Sequence, residues 1–264
     1  DIYIAQSVAD QHDMKLVAVS ADEIIGAISE RTAVVTATHV DYRSAKILDA
    51  PAITATAHQN GALMVWDLAH TAGAVPFDAS KLDIDFAVGC GYKYLNGGPG
   101  APAFIYVAPR LLAESGQPLQ GWWAHAAPFD FELGFRPAPG ISRFLTGTTT
   151  VLSMKSLEAA LEIFSGVSMA DIRTKSMGLT GLFIDLFDTH LAPRGFTLAS
   201  PRDPESRGSH VALGFAGGKA LVDQMSTKGI IADFRPPDLM RFGFAPLYNS
   251  YRDVVELVQR LSRP

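Results

Sequence analysis

Two short apolar runs each lead into residues able to do acid–base or carbonyl chemistry. Residues 62–67, Ala-Leu-Met-Val-Trp-Asp, close on Asp67, with His70 three positions on; residues 86–91, Phe-Ala-Val-Gly-Cys-Gly, lead into Tyr92 and Lys93. Both runs are too short for helices and rich in residues that pack on a sheet, so they read as buried strands. Ligands of open α/β sheets collect beyond the carboxyl ends of the strands. A carboxylate, an imidazole and a lysine are therefore expected to converge on one crevice. A lysine amine can condense there with an aldehyde, and a carboxylate can keep a pyridine nitrogen protonated so that the ring withdraws electrons. Pyridoxal 5'-phosphate requires both.

The wording of these segments goes further than their chemistry. Asp67-Leu68-Ala69-His70-Thr71-Ala72-Gly73-Ala74-Val75-Pro76, followed by Gly89-Cys90-Gly91-Tyr92-Lys93-Tyr94-Leu95-Asn96-Gly97-Gly98-Pro99-Gly100, closely resembles the kynureninase family of fold-type I pyridoxal-phosphate enzymes. An Asp-x-Ala-His strand end is shared with cysteine desulfurases; the Tyr-Lys-Tyr-Leu-Asn-Gly-Gly-Pro-Gly run is the specific part. The resemblance continues through Gly121-Trp122-Trp123-Ala124-His125, Arg207-Gly208-Ser209-His210-Val211 and Met240-Arg241-Phe242-Gly243-Phe244-Ala245-Pro246-Leu247-Tyr248, and covers essentially the whole chain.

The resemblance implies an α/β fold, with a mainly parallel large domain over 1–150 and connecting helices plus a small α+β domain over 151–264. It implies hydrolysis of L-kynurenine, or its 3-hydroxy form, to L-alanine and anthranilate or 3-hydroxyanthranilate. It also implies a cytoplasmic homodimer with shared active sites. It assigns the Schiff base to Lys93, the pyridine nitrogen to Asp67, a place beside the cofactor to His70, and phosphate contact with proton transfer to Tyr92. Trp122 and Thr148 are implied as cofactor contacts reaching across from the second subunit, Thr38 as another, and Arg241 as a two-bond clamp on the substrate carboxylate. By residue type alone the readings are plainer. Asp67 suits a helix cap, Lys93 a surface loop, His70 and Tyr92 a satisfied core, and Arg241 an internal ion pair. Arg207 and His210 match the family without a role. The family carries an N-terminal segment with a phosphate-binding loop and a ring-stacking aromatic. Asp1, which no methionine precedes, matches the last residue of its aromatic-Pro-Ser/Thr-Asp stretch, so the large domain is expected to be N-terminally incomplete.

The elements that must position these residues follow from pattern. Residues 15–20 read as a strand, and Ser20 with Glu23 as a capping box opening a helix over 21–30. A second strand spans 33–40. Asp49 caps a helix with Pro51 in its first turn, running to about Asn60 with Gly61 as its stop. Strands alternating with helices indicate a parallel sheet. Residues 103–107 form another strand; its link from Lys93 is too short for a helical crossover, so that pair is antiparallel. Residues 115–150 are rich in Gly, Pro and aromatics and irregular. Helices resume over 151–164 and 169–190. Strands follow at 196–199, 210–215, 230–234 and 239–244, with a helix ending at Lys228 before Gly229. Tyr251, Val254, Val255, Val258 and Leu261 mark a last amphipathic helix.

Composition sets the outer bounds. The chain has 264 residues, 48% hydrophobic and 19% charged, enough for a substantial core. A net charge of -5 gives no basic footprint for nucleic acid. No apolar run has membrane-spanning length. One cysteine, Cys90, excludes an internal disulfide framework, suits a reducing compartment and reads as core. There is no His-Glu-x-x-His and no cysteine pair, so no metal is expected. Gly97-Gly98-Pro99-Gly100 lacks the Lys-Ser/Thr of a P-loop, and no Gly-x-Ser-x-Gly elbow is present. Two alternatives stand beside the main reading: another enzyme of the same fold, a desulfurase or lyase, and a truncated relative serving only as a binding or dimerisation module.

Overall fold

The computed structural model describes residues 1–262. Its first sheet has strand order β1-β2-β3-β4, with β1 Val34–Thr38, β2 Leu63–Asp67, β3 Phe86–Cys90 and β4 Ala103–Val107. β1, β2 and β3 are mutually parallel, and β4 runs antiparallel to β3, as the short link requires. Trp66, Met64, Ile53, Ala57 and Ala87 form the core beneath this sheet. Helix α3, Ala50–Gln59, covers it. Asp49 accepts from the Ala52 amide at 3.0 Å and caps the helix, and Gly61 closes it at φ +76°. Asp85, buried at 2% exposure, binds the Met64 amide, His58 of α3 and Arg110 at 2.6, 2.9 and 2.7 Å, and so ties helix to sheet.

The N-terminal region departs from expectation. A helix, α1, forms over Ile2–Gln11 where none was anticipated. Residues 15–20 form no strand, and Val17 and Val19 stay 60% and 41% exposed. An apolar run alone does not make a strand; a ladder partner must be in reach. The capping box forms, with the Ser20 amide bound to Glu23, but the expected ten-residue helix shrinks to a 3₁₀ turn, Ala21–Glu23, and a single α-turn, α2, Ile24–Ala27. Ile24, Ile25 and Gly26 are weak helix formers.

The irregular stretch over 115–150 holds the short 3₁₀ turns Trp122–Ala124 and Gly140–Phe144 and an isolated antiparallel bridge between His125 and Pro137. Helices α4, Val151–Glu162, and α5, Met169–His190, lead to a second, wholly antiparallel sheet of order β5-β6-β8-β7. Its strands are β5 Thr197–Leu198, β6 His210–Gly214, β7 Asp233–Arg235 and β8 Leu239–Gly243, with α6, Gly218–Thr227, between β6 and β7. The strand expected at 230–234 lies later because β7 takes its register from β8, Asp233 opposite Arg241. One face of this sheet packs Val211, Leu213, Met240 and Phe242 on Leu179 and Phe183 of α5 and on Val254 and Val258 of α7, Tyr251–Leu261. The other face carries His210, Asp233 and Arg241, because alternate residues of a strand point to opposite sides.

Candidate active site

Thr38 and Asp67 end neighbouring parallel strands in register with each other. The chain turns immediately after Asp67, whose Oδ1 accepts from the Ala69 amide at 2.7 Å. Its other oxygen has no hydrogen-bond partner among the described residues. The turn is held by Thr71 and Ala72 amides donating to the Leu68 carbonyl, both at 2.9 Å. The loop after β3 closes on itself: the Gly97 amide donates to the Gly91 carbonyl and the Asn96 amide to the Lys93 carbonyl, each at 2.9 Å. This projects Tyr92 and Lys93 beyond the strand ends. Lys93 is half-buried and has no carboxylate within ion-pair range among the described residues; its Nζ lies 5.5 Å from the Tyr92 ring centroid. Burial, and then the neighbouring Cys90 thiol, raise the Tyr92 phenol above its ordinary value.

The second sheet supplies the opposite wall. Arg241 donates from Nε and Nη2 to both oxygens of Asp233, and from Nη1 to the Tyr42 carbonyl at 2.5 Å. Burial pushes the Asp233 carboxyl up, but the bonds and charge of Arg241 outweigh it and hold the group below the usual carboxylate range. His70 and His210 meet across the gap with ring centroids 5.5 Å apart. Burial pushes His70 down to about 3, helped by the charge of Lys93, and His210 down to about 4, helped by Arg241. Both imidazoles are neutral near pH 7. The result is a cavity of about 1180 Å³ between the two sheets, with Thr38, Asp67, His70, Tyr92 and Lys93 on one side and His210, Asp233 and Arg241 on the other.

Six of the eight residues expected in the site therefore line one cavity. Trp122 and Thr148 do not; both are exposed, and Trp122 packs on Trp123 and Phe129 with centroids at 4.7 and 5.9 Å. Arg241 does not present a free fork, since Asp233 already engages it. Three features escaped the sequence reading. Asp233 gives no signal until the register of β7 is known. His210 Nε2 is buried without a partner. Arg207, 1% exposed, donates to the carbonyls of Pro201 and Arg202 and to Thr180 of α5, while Arg173 of α5 donates to the Arg207 carbonyl at 2.9 Å. Arg207 thus fastens the loop that leads into His210.

The residues present fit the ring of pyridoxal phosphate. An amine without a counter-ion, a carboxylate oxygen without a partner and a neutral imidazole border one cavity, and its volume holds a cofactor with a small substrate.

Comparison with known proteins agrees with this fit. Residues 172–261 match the Kynureninase C-terminal domain. The kynureninase of Pseudomonas fluorescens is 44% identical over 265 residues, covering 99% of this chain and 64% of that protein, and the kynureninase of Burkholderia pseudomallei (strain K96243) matches to the same extent. Among solved structures, the apo cysteine desulfurase of Thermococcus onnurineus NA1 superposes with a TM-score of 0.82 at 19% identity, over 97% of this chain and 68% of that one. That likeness shows the fold, which is that of the fold-type I pyridoxal-phosphate enzymes. In sequence the chain spans 64% of the length of the kynureninases it matches and is similar to them over 99% of its own length.

Proposed function

We propose that this chain carries the catalytic centre of a pyridoxal-phosphate-dependent hydrolase that cleaves the Cβ–Cγ bond of L-kynurenine or 3-hydroxy-L-kynurenine. The observation that supports it best is the meeting of Lys93, Asp67 and Arg241 in one cavity of a chain 44% identical to kynureninases. Bound there, the cofactor supplies an electron sink for negative charge developing on the substrate carbons.

In this reading Lys93 would hold the cofactor through its aldehyde, and its amine would serve as the base that takes the substrate's Cα proton. Asp67 would keep the pyridine nitrogen protonated through its unpartnered oxygen, and His70 would contact the cofactor as a neutral group. Arg241 binds the α-carboxylate, with Asp233 setting the orientation of the guanidinium. Tyr92 hands a proton to the three-carbon fragment that leaves as alanine. Thr38 adds a cofactor contact. Trp122 and Thr148 do so from the second subunit of a homodimer, a role in keeping with their exposure outside this chain's own cavity. A cytoplasmic enzyme divided near residue 150 completes the reading.

Borohydride reduction of the pyridoxal-phosphate-loaded protein, followed by peptide mapping, tests the centre, and release of anthranilate and alanine from kynurenine tests the reaction. A pyridoxyl adduct on Lys93 with both products supports it. An adduct on another lysine, or alanine released from cysteine and none from kynurenine, overturns it. The desulfurase alternative draws on fold likeness alone.

A further inference from the structure

Asp233 and Arg235 are alternate residues of β7, so both side chains leave the strand on the face turned to the cavity, beside Arg241 of β8. One carboxylate serves two guanidinium groups there. Arg241 donates from Nε to Asp233 Oδ1 at 2.7 Å and from Nη2 to Oδ2, and Arg235 Nη2 donates to the same Oδ2 at 3.0 Å. The trio therefore leaves one net positive charge on the cavity wall. Arg241 is its enclosed member, with a side chain 11% exposed; Asp233 and Arg235 are each 42% exposed. The hairpin does not need the Arg235 bond for its shape. The β7–β8 ladder sets the register, Arg43 donates to the Pro236 carbonyl at 2.8 Å, and Arg241 Nη1 reaches the Tyr42 carbonyl. A half-exposed ion pair also adds little to stability. What the bond does change is how much of the Asp233 charge falls on Arg241.

With Arg241 assigned to the substrate α-carboxylate as above, that share decides how well the clamp works. A guanidinium paired with a carboxylate of its own is already neutralised, and an incoming carboxylate meets an ion pair rather than a charge. With Arg235 drawing on Oδ2, Arg241 keeps charge to offer. We propose, resting on that reading of Arg241, that Arg235 is a positioning residue of the clamp: it shares Asp233 with Arg241 and so leaves the trio one carboxylate short, the place of the substrate's. When that place is filled, two guanidinium groups face two carboxylates, and Asp233 passes the larger part of its bonding to Arg235. Arg241 has the donors for this, since two of its five N–H groups are used by neither Asp233 nor Tyr42. The exchange strengthens as the ligand expels water, because charges on a dry wall are screened less than charges on a wet one.

The test uses the pyridoxal-phosphate-loaded protein and two ligands that differ only in the carboxylate: L-kynurenine and its decarboxylated analogue, 3-amino-1-(2-aminophenyl)propan-1-one. KM and kcat for kynurenine, and the inhibition constant of the analogue, are compared for wild type, Arg235→Gln, Arg235→Lys and the double variant Arg235→Gln with Asp233→Asn. Arg235→Gln is expected to raise KM roughly threefold or more with kcat changed less, and to leave the inhibition constant within about twofold. Arg235→Lys, which keeps the charge, is expected to recover most of the loss. The double variant is expected to bind kynurenine better than Arg235→Gln alone, because the carboxylate that over-neutralises Arg241 is gone. In the wild-type protein the Nε–H resonance of Arg235 is expected to shift with L-alanine, the product that keeps the α-carboxylate, and to stay in place with ethylamine, a readout that needs no variant. Equal losses for both ligands, a double variant no better than the single one, or a resonance that responds equally to both amines would show a merely structural arginine and overturn the proposal while leaving the kynurenine reading intact. A wild-type protein that releases neither anthranilate nor alanine from kynurenine overturns both.

Discussion

Gly73 lies directly on the backbone of Tyr94: a β-carbon at position 73 would stand 2.5 Å from the Tyr94 carbonyl oxygen, and the residue sits at φ +85°. The contact joins the turn that carries Asp67 and His70 to the loop that carries Lys93. The amine and the carboxylate of the site are therefore spaced by a backbone-to-backbone contact, which side-chain motion cannot relax.

Gly73→Ala should push these loops apart. Both the left-handed backbone and the clash oppose the added methyl, and insertions of this kind cost about 1–3 kcal/mol. Denaturant unfolding should show a loss in that range, and the visible cofactor band should weaken. Wild-type stability and an unchanged band would mean that the loops are not coupled.

Asp67→Ala should lose activity far more than fold. Its carboxylate makes one hydrogen bond within the chain, to Ala69, so its structural role is small. Removing a preorganised electrostatic partner from a reacting centre commonly costs on the order of a hundredfold or more in rate. Steady-state turnover of kynurenine, measured beside the thermal midpoint, separates the two effects. Turnover near wild type with cofactor bound would remove Asp67 from the proposed centre.

Arg241→Lys should damage substrate binding more than turnover. An ammonium keeps the charge but cannot bridge Asp233 and a substrate carboxylate with one planar fork. KM for kynurenine should rise at least severalfold while kcat falls less. If neither constant changes, Arg241 serves the Asp233 pair alone.

Buried histidines should make the fold sensitive to mild acid. Burial holds His39 and His210 down to about 4, against about 6.5 unfolded. Between those values the unfolded chain binds protons that the folded chain refuses. Stability is therefore complete above about pH 6.5 and falls as pH drops toward 4, by up to about 1.4 kcal/mol per pH unit for each histidine. Asp233 acts lower down: its depressed pKa gives stability that is present above the unfolded value and lost as pH falls through the folded one. Guanidinium midpoints measured from pH 7.5 to 4.5 should decline, and less steeply for His210→Gln. A flat profile would show that these histidines protonate within the fold.

Much of this architecture was legible because local chemistry and fold agreed. Asp49, Pro51 and Gly61 bracket α3 as capping rules require, and the short link after Lys93 forced β4 to run antiparallel. The cavity side of the parallel sheet was legible for the same reason, since Asp67 and Lys93 follow strand ends. The other side was not. Asp233 faces Arg241 only through the β7–β8 register, which depends on non-local pairing. The burial of His210 depends on the loop that Arg207 anchors. Residues 15–20 mark the converse failure: the segment reads as a strand, but strand formation depends on a neighbour that a linear pattern does not specify.

Among the described residues β1 pairs on one side only, with β2. The Ala33 carbonyl and the His39 amide both bond to the β2 segment, at 3.0 Å each, so the odd-numbered positions face inward. By alternation the amides of Val34, Thr36 and Thr38 point outward. Deuterium should therefore enter this strand in a comb pattern, with Val34, Thr36 and Thr38 labelling early and Val35 and Ala37 late. That pattern would place solvent-labile backbone on the cavity wall itself, at Thr36 and Thr38, and leave an edge on which a further strand could add.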